Sequence, residues 1–306
     1  MEKRGSASSP AAEVLTNGRV EMTGVRRLWT WAAKPAAEKR LSLRYHLRQA
    51  WNRLLPDCPL ILRVSPGLWW IARNDAVSDE LCLGSFEPNE RAFLRWFLTP
   101  GMVVLDVGAH AGFYSVLASK RVGSSGHVFA FEPSPRERAR LQRHLHLNRC
   151  ANVTVEGVAV GEAAGDGELF VFDERRTGCN SFHLADTRGA CAITVPIRPL
   201  DGYFEREIFT KVDLVKMDIE GAELSALRGA ERLFRATRPA LLCELHEKRV
   251  GPWGYRARDI VDLLDGWGYE WFRLEEGGTL TPLTGEQTTF FENGVALPVE
   301  RRRAIV

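Results

Sequence analysis

No stretch of this 306-residue chain comes near the roughly 18 consecutive apolar residues that a membrane helix requires. The best candidate, Leu60 to Ala72, is broken by Arg63, Pro66 and Gly67. The basic N-terminus is not followed by an apolar core, so a secretory leader is not expected. Six cysteines (Cys58, Cys82, Cys150, Cys179, Cys191 and Cys243) form no C-x-x-C pair. Their scatter argues against a zinc site or a disulfide framework and for reduced thiols in a cytoplasmic protein. Strong charge is also missing: the net value is +2, which gives no footprint for nucleic acid. A G-x-G-x-x-G dinucleotide fingerprint is absent as well. What remains is ordinary for a globular protein, with 45% hydrophobic and 26% charged residues. That length suits one large α/β domain with an extension, or two small domains.

The most informative stretch is MVVLDVGAHAGFYS, Met102 to Ser115. Met102 to Val107 reads as a buried strand carrying Asp106 near its end. The loop Gly108-Ala109-His110-Ala111-Gly112 follows, and Phe113 to Arg121 has helix-forming composition. A strand, a small-residue loop and a helix N-terminus bring backbone N–H groups to one point, a geometry suited to a nucleotide-like cofactor. His110 stands where a dinucleotide fingerprint places its middle glycine. A second strand, His127 to Phe131, ends in Glu132, about twenty residues beyond Gly112. A carboxylate at that strand end can accept both hydroxyl hydrogen bonds of a ribose.

Upstream, residues 1–18 read as a disordered tail poor in anything to bury. Residues 19–85 form a basic extension, with a helix expected from Glu38 to Leu55 and a β-hairpin from Leu60 to Arg73. The basic helix suits a membrane surface, a lid over an acidic substrate, or plain docking on the main domain with a solvated face. A helix over Phe86 to Leu98 opens a main domain spanning 86–298, and residues 299–306 are a tail. Within that domain Ser134 to Asn148 is a basic helix capped near Ser134, and Asn152 to Glu156 is a third strand. Strand-like pieces at Glu168 to Phe172 and Ala192 to Arg198 flank a polar loop, Arg175 to Ser181, on the side of a cleft. Val212 to Met217 is a fourth strand, and a helix is expected from Asp218 through Leu233. Ala240 to Leu245 is a fifth strand tipped by His246. A helix at Arg256 to Gly266 precedes strand-like Tyr269 to Leu274 and Thr288 to Pro298, an antiparallel finish to a parallel sheet. Asp218 and His246 fall at the carboxyl ends of strands, where open α/β sheets place ligands.

Four segments, VVLDVGAHAGFYS, FAFEPSP, LVKMDIEGAELSAL and ALLCELHE, resemble successive signature segments of the FkbM family of class I S-adenosylmethionine-dependent methyltransferases. The likeness runs from Phe86 to Pro298. It implies an α/β, Rossmann-like, doubly wound seven-stranded sheet, mostly parallel with an antiparallel terminal hairpin, behind an N-terminal helical extension. It implies S-adenosylmethionine as cofactor, with Asp106, Gly108, His110 and Gly112 at its methionine end. Glu132 would meet the ribose, and the turn from Glu156 to Val158 would border the adenine. The expected acceptor is a hydroxyl on a small molecule, such as a sugar or a natural product, with no nucleic-acid partner. Such a hydroxyl must lose its proton as it attacks, and Asp218 and His246 are the candidate bases. Alternatively Asp218 and Glu220 hold Mg²⁺, although no third ligand is readable. Two other readings compete: a non-catalytic binding protein that keeps the fold, and a nicotinamide-dependent oxidoreductase.

Overall fold

The structure, a computed structural model, describes residues 36–55, 58–65, 67–173, 180–183, 187–206, 208, 210–283 and 290–301. The expected 1–18 tail, residues 19–35 of the basic extension, Cys179 with most of its polar loop, and residues 302–306 of the expected C-terminal tail lie outside the described residues. Two units divide the chain between Leu47 and Arg48, and everything below concerns the second except the first part of one helix. That helix, α1 (Ala36–Leu54), matches the basic helix expected.

The hairpin forms as the alternation suggests, β1 (Leu60–Ser65) pairing antiparallel with β2 (Leu68–Ala72). An unforeseen helix, α2 (Ala76–Leu83), follows. Its signals are in the sequence: the Asp75 carboxylate accepts from Ser78 N–H at 2.7 Å, and Gly84 ends it with φ 81°. Helix α3 (Pro88–Phe97) then leads to β3 (Val103–Val107), α4 (Phe113–Val122), β4 (His127–Phe131), α5 (Pro135–Leu147) and β5 (Val153–Glu156). Ser134 precedes α5, but its hydroxyl donates to Glu137 at 2.6 Å and caps no helix N–H. A small sheet of β6 (Ala159–Val160), β7 (Gly165–Val171) and β8 (Cys191–Arg198) stands apart from the main one.

After α6 (Leu200–Glu205) and β9 (Leu214–Met217), the single helix expected from Asp218 to Leu233 is two, α7 (Glu223–Arg228) and α8 (Glu231–Thr237). The late start has a backbone cause: Glu220 and Gly221 take φ 57° and 102°, which no helix accommodates. The break has a packing cause, because a Cβ on Gly229 would collide with the carbonyl oxygen of Gly161. The chain finishes with β10 (Ala240–His246), α9 (Glu247–Val250), α10 (Ala257–Gly266), β11 (Tyr269–Leu274), β12 (Leu280–Pro282) and β13 (Phe291–Pro298). The main sheet runs β12-β11-β13-β10-β9-β3-β4-β5 and has eight strands. Seven match the expected arrangement, five parallel from β5 to β10 and then β13, antiparallel both to β10 and to its outer neighbour β11. The eighth, the three-residue β12, pairs with the outer edge of β11. Successive β3 side chains serve opposite layers, Val104 in one core and Leu105 and Val107 in the other. Burial on both faces is why the strand reads as an apolar run interrupted only by Asp106.

The far edge of β2 is closed by side chains. Asn148 accepts from Trp69 N–H and donates to Trp69 C=O, and His144 Nε2 accepts from Ile71 N–H at 3.0 Å. The other ring nitrogen, Nδ1, donates to Ala111 C=O at 2.6 Å, and the ring stacks on Trp70 with centroids 3.7 Å apart. Those two bonds require a neutral imidazole. Burial pushes the His144 pKa down to about 4 from its ordinary 6.5. The folded form thus binds fewer protons than the unfolded one below pH 6.5, so this contribution is complete above that value and fades toward pH 4. The urea midpoint of wild type should exceed that of His144→Gln by a clear margin at pH 7.5, and the gap should narrow at pH 5. An equal gap at the two pH values would remove the neutral imidazole from the account.

Candidate active site

The carboxyl ends of β3, β4, β9 and β10 converge on one cavity of 410 Å³. The position follows from chain direction, because parallel strands release their loops on the same edge of the sheet. Gly108, His110, Glu132, Val158 and Asp218, all singled out from sequence, line it. The turn at Gly108 brings the loop hard against the tip of β9. A Cβ there would strike the Asp218 carbonyl oxygen and lie 2.9 Å from Ile219 Cγ2. The loop geometry is fixed next by Glu132, whose carboxylate accepts from His110 N–H and Ser134 N–H, each at 2.8 Å. Burial raises that carboxyl to about 7. His110 itself has φ 49°, and its Nε2 is buried with no hydrogen-bond partner among the described residues. Burial, then the nearby Arg140, lowers its pKa to about 4, so the imidazole is neutral at pH 7.

Four other expected residues do not line the cavity. Asp106 is 1% exposed and accepts from Ser115 Oγ at 2.6 Å below the loop. Gly112 faces α5, where a Cβ would collide with Leu141. The Glu156 carbonyl accepts from Glu132 N–H, and its carboxylate accepts from Tyr203 Oη at 3.3 Å. His246 is half-buried as the last residue of β10, where its Nδ1 accepts from Lys248 N–H at 3.2 Å as the cap of α9.

The structure adds residues that periodicity passes over. Lys216, in the middle of the apolar β9, is buried with its ammonium 3.1 Å from Asp218 Oδ2 and 4.9 Å from the centre of the Tyr114 ring. Burial opposes its charge, but Asp218, Asp106 and Glu87 outweigh that and raise its pKa, so it stays protonated. Glu244, a lone carboxylate inside the apolar β10, lines the cavity beside Glu220 and Arg249. Glu220 pairs with Arg249 at 2.9 Å. Burial, then the charge of Asp218, pushes Glu220 to about 8 and Glu244 to about 10. A lysine in LVKM and a glutamate in ALLCEL are the readable anomalies, since a charge in a doubly buried strand needs a reason. From the extension come Trp70, Glu80, Phe86 and Glu87. Among the described residues, no group of three His, Cys, Asp or Glu side chains is placed to hold a metal ion. The pair raised for Mg²⁺ is engaged with cations of the chain, Asp218 with Lys216 and Glu220 with Arg249.

The chain is similar to several characterised proteins, two of them described as methyltransferases. It is 27% identical over 162 residues to the hexuronic acid methyltransferase AglP of Haloferax volcanii, covering 53% of this chain and 61% of that one. It is 26% identical over 178 residues to the 2-O-methyltransferase NoeI of Sinorhizobium fredii, covering 54% and 72%. The AMB antimetabolite synthetase AmbE of Pseudomonas aeruginosa is 27% identical over 208 residues, covering 56% of this chain but 10% of that protein. The chain therefore spans less than two thirds of AglP and of AmbE. A family model described as the methyltransferase FkbM domain matches residues 106–271, from the buried aspartate of β3 to the middle of β11. With more than half of its length under that match and the signature loop, Glu132 and Asp218 gathered around one cavity, this chain belongs to the FkbM family of methyltransferases.

Proposed function

We propose that the chain transfers a methyl group from S-adenosylmethionine to a hydroxyl oxygen of a small molecule or glycosyl group. The observation that carries this reading is Asp218, a carboxylate on the cavity wall at the tip of β9, tied to the buried Lys216 ammonium. Relatives described as a 2-O-methyltransferase and a hexuronic acid methyltransferase support the oxygen acceptor and the sugar class.

The residues present fit the donor. A volume of 410 Å³ is within the range of small-molecule pockets. Phe131, Val158, Val160 and Leu169 supply apolar walls for a flat ring, with the Glu132 carboxylate beside them for a ribose diol. The unpartnered Nε2 of His110 is a buried polar atom that lacks a hydrogen bond. When bound, S-adenosylmethionine supplies a methyl already activated on a sulfonium, leaving alignment and proton removal to the protein. Asp218 accepts the proton of the attacking hydroxyl. Lys216 remains charged, so it orients Asp218 and takes no proton itself. Burial and Asp218 favour a proton on Glu220 and Glu244 while Arg249 opposes it, and both carboxyl groups, on the cavity wall, hydrogen-bond the acceptor's other oxygens. His246 is assigned no proton transfer, because its ring caps α9. Among the described residues no helix is long and apolar enough to cross a membrane. Free thiols at Cys58, Cys82, Cys150, Cys191 and Cys243 support a cytoplasmic location.

The direct test is calorimetric titration with S-adenosylhomocysteine, followed by transfer of labelled methyl to hydroxylated small molecules. Absence of binding at millimolar ligand would overturn the proposal. Glu132→Ala should weaken binding by about 100-fold, the value of two lost charge-assisted hydrogen bonds at ~1.5 kcal/mol each. Unchanged affinity in a variant that still melts cooperatively would move the ribose elsewhere.

A further inference from the structure

Glu87 lies outside the residues matched by the family model, yet it lines the cavity. It precedes the first turn of α3 with φ 37° and ψ 63°, a left-handed conformation that a side chain rarely adopts. Glu87 makes no cap hydrogen bond to the helix it precedes. Its carboxylate instead accepts from the hydroxyl of Tyr114, in the first turn of α4. That turn directly follows the Gly108–Gly112 loop, so Glu87 is fixed at the loop end of the cavity.

Charge decides what it is for. Glu87, Asp106 and Asp218 all act on the Lys216 ammonium. Lys216 gives its hydrogen bond to Asp218, and the Arg91 guanidinium, which also acts on Glu87, donates to the Gly84 and Phe86 carbonyls. Neither cation is hydrogen-bonded to the Glu87 carboxylate, which lines the cavity. The donor carries two positive charges, a sulfonium and an α-ammonium. Asp218 is at the transfer point and Asp106 is sealed below the loop, and Glu87, at the loop end, is placed for the more distant ammonium. Tyr114 holds one carboxylate oxygen, so the group is oriented before ligand arrives.

We infer that Glu87 binds the α-ammonium of the methyl donor, an anchor supplied by the segment upstream of the family domain. The inference rests on S-adenosylmethionine being the donor, and its test separates the two ideas. Binding of S-adenosylhomocysteine, which has the ammonium, is compared by calorimetry with that of 5′-methylthioadenosine, which lacks the whole amino-acid end. In Glu87→Gln the first ligand should lose about tenfold to a hundredfold in affinity, while the second stays within twofold. Glu87→Gly, which adopts the left-handed backbone freely, should show the same selectivity, so a folding defect cannot explain it. Tyr114→Phe should give the same pattern at smaller amplitude. Equal losses for the two ligands, or no loss for either in the two Glu87 variants, would overturn the assignment while leaving the donor intact. Failure of wild-type protein to bind S-adenosylhomocysteine would instead overturn the donor, and the assignment with it.

Discussion

Asp218→Asn is expected to lower kcat by about 10²–10⁴-fold, the usual worth of a positioned general base, with S-adenosylhomocysteine affinity changed little. The amide is nearly isosteric and can still accept from Lys216, so the 3.1 Å contact has a chemical successor. What disappears is the capacity to take the acceptor's proton. The loss should shrink as the pKa of the acceptor group falls, because a more acidic hydroxyl needs less help. A drop in kcat/KM matched by an equal drop in donor affinity would identify Asp218 as a binding residue and not a base. Lys216→Met should be milder in kcat, but it leaves the buried Asp106 and the half-buried Asp218 without their cation. Its main cost is therefore expected in stability.

Gly108→Ala should cost more in stability than any other single methyl added near the cavity. The residue has φ 83°, and its Cβ would meet the Asp218 carbonyl and the Ile219 side chain together. The left-handed backbone alone is worth about 1–2 kcal/mol against a side chain. The collision must in addition push apart two strand tips held by the Asp218 N–H bond to Val107 C=O at 3.1 Å. We expect a total above about 4 kcal/mol, the range reserved for severe steric faults, read as the loss of most of the urea midpoint. Gly277→Ala, with φ 74° but nothing within 4 Å of its Cβ, is the control and should lose no more than the backbone share. Similar losses for the two variants would show that the loop has room to yield.

The parts of this fold legible in the sequence are those with local causes. Largely apolar runs at β3, β4, β9 and β10 mark strands buried on both faces, and Glu132 and Asp218 are visible because they follow β4 and β9. The reasons for the glycines are not local. Gly108 and Gly112 read as parts of a cofactor loop, and the structure adds that a side chain at either would collide with another part of the chain, Asp218 in one case and Leu141 in the other. His246 was plausible because a strand tip faces the cleft, but β10 gives way to α9 at that residue and its ring is spent on the cap. Lys216 and Glu244 break the apolar pattern of their strands, and a rule that flags charges in such strands finds them. Glu87 leaves no trace of that kind. Its significance arises from a left-handed turn and a tyrosine 27 positions away, neither of which spacing can reveal.

The hairpin edge has a consequence for how such chains diversify. His144 holds Ile71 of the hairpin and Ala111 of the signature loop through opposite sides of one ring, and Trp70 of the same strand lines the cavity. An exchanged or shortened upstream segment would therefore disturb the donor loop as well as the cavity wall. The hairpin and the signature loop of this chain are thus tied together through one side chain. Grafting the 106–271 segment under a different N-terminal segment would have to carry a matching partner for residue 144, or lose the loop it was meant to keep.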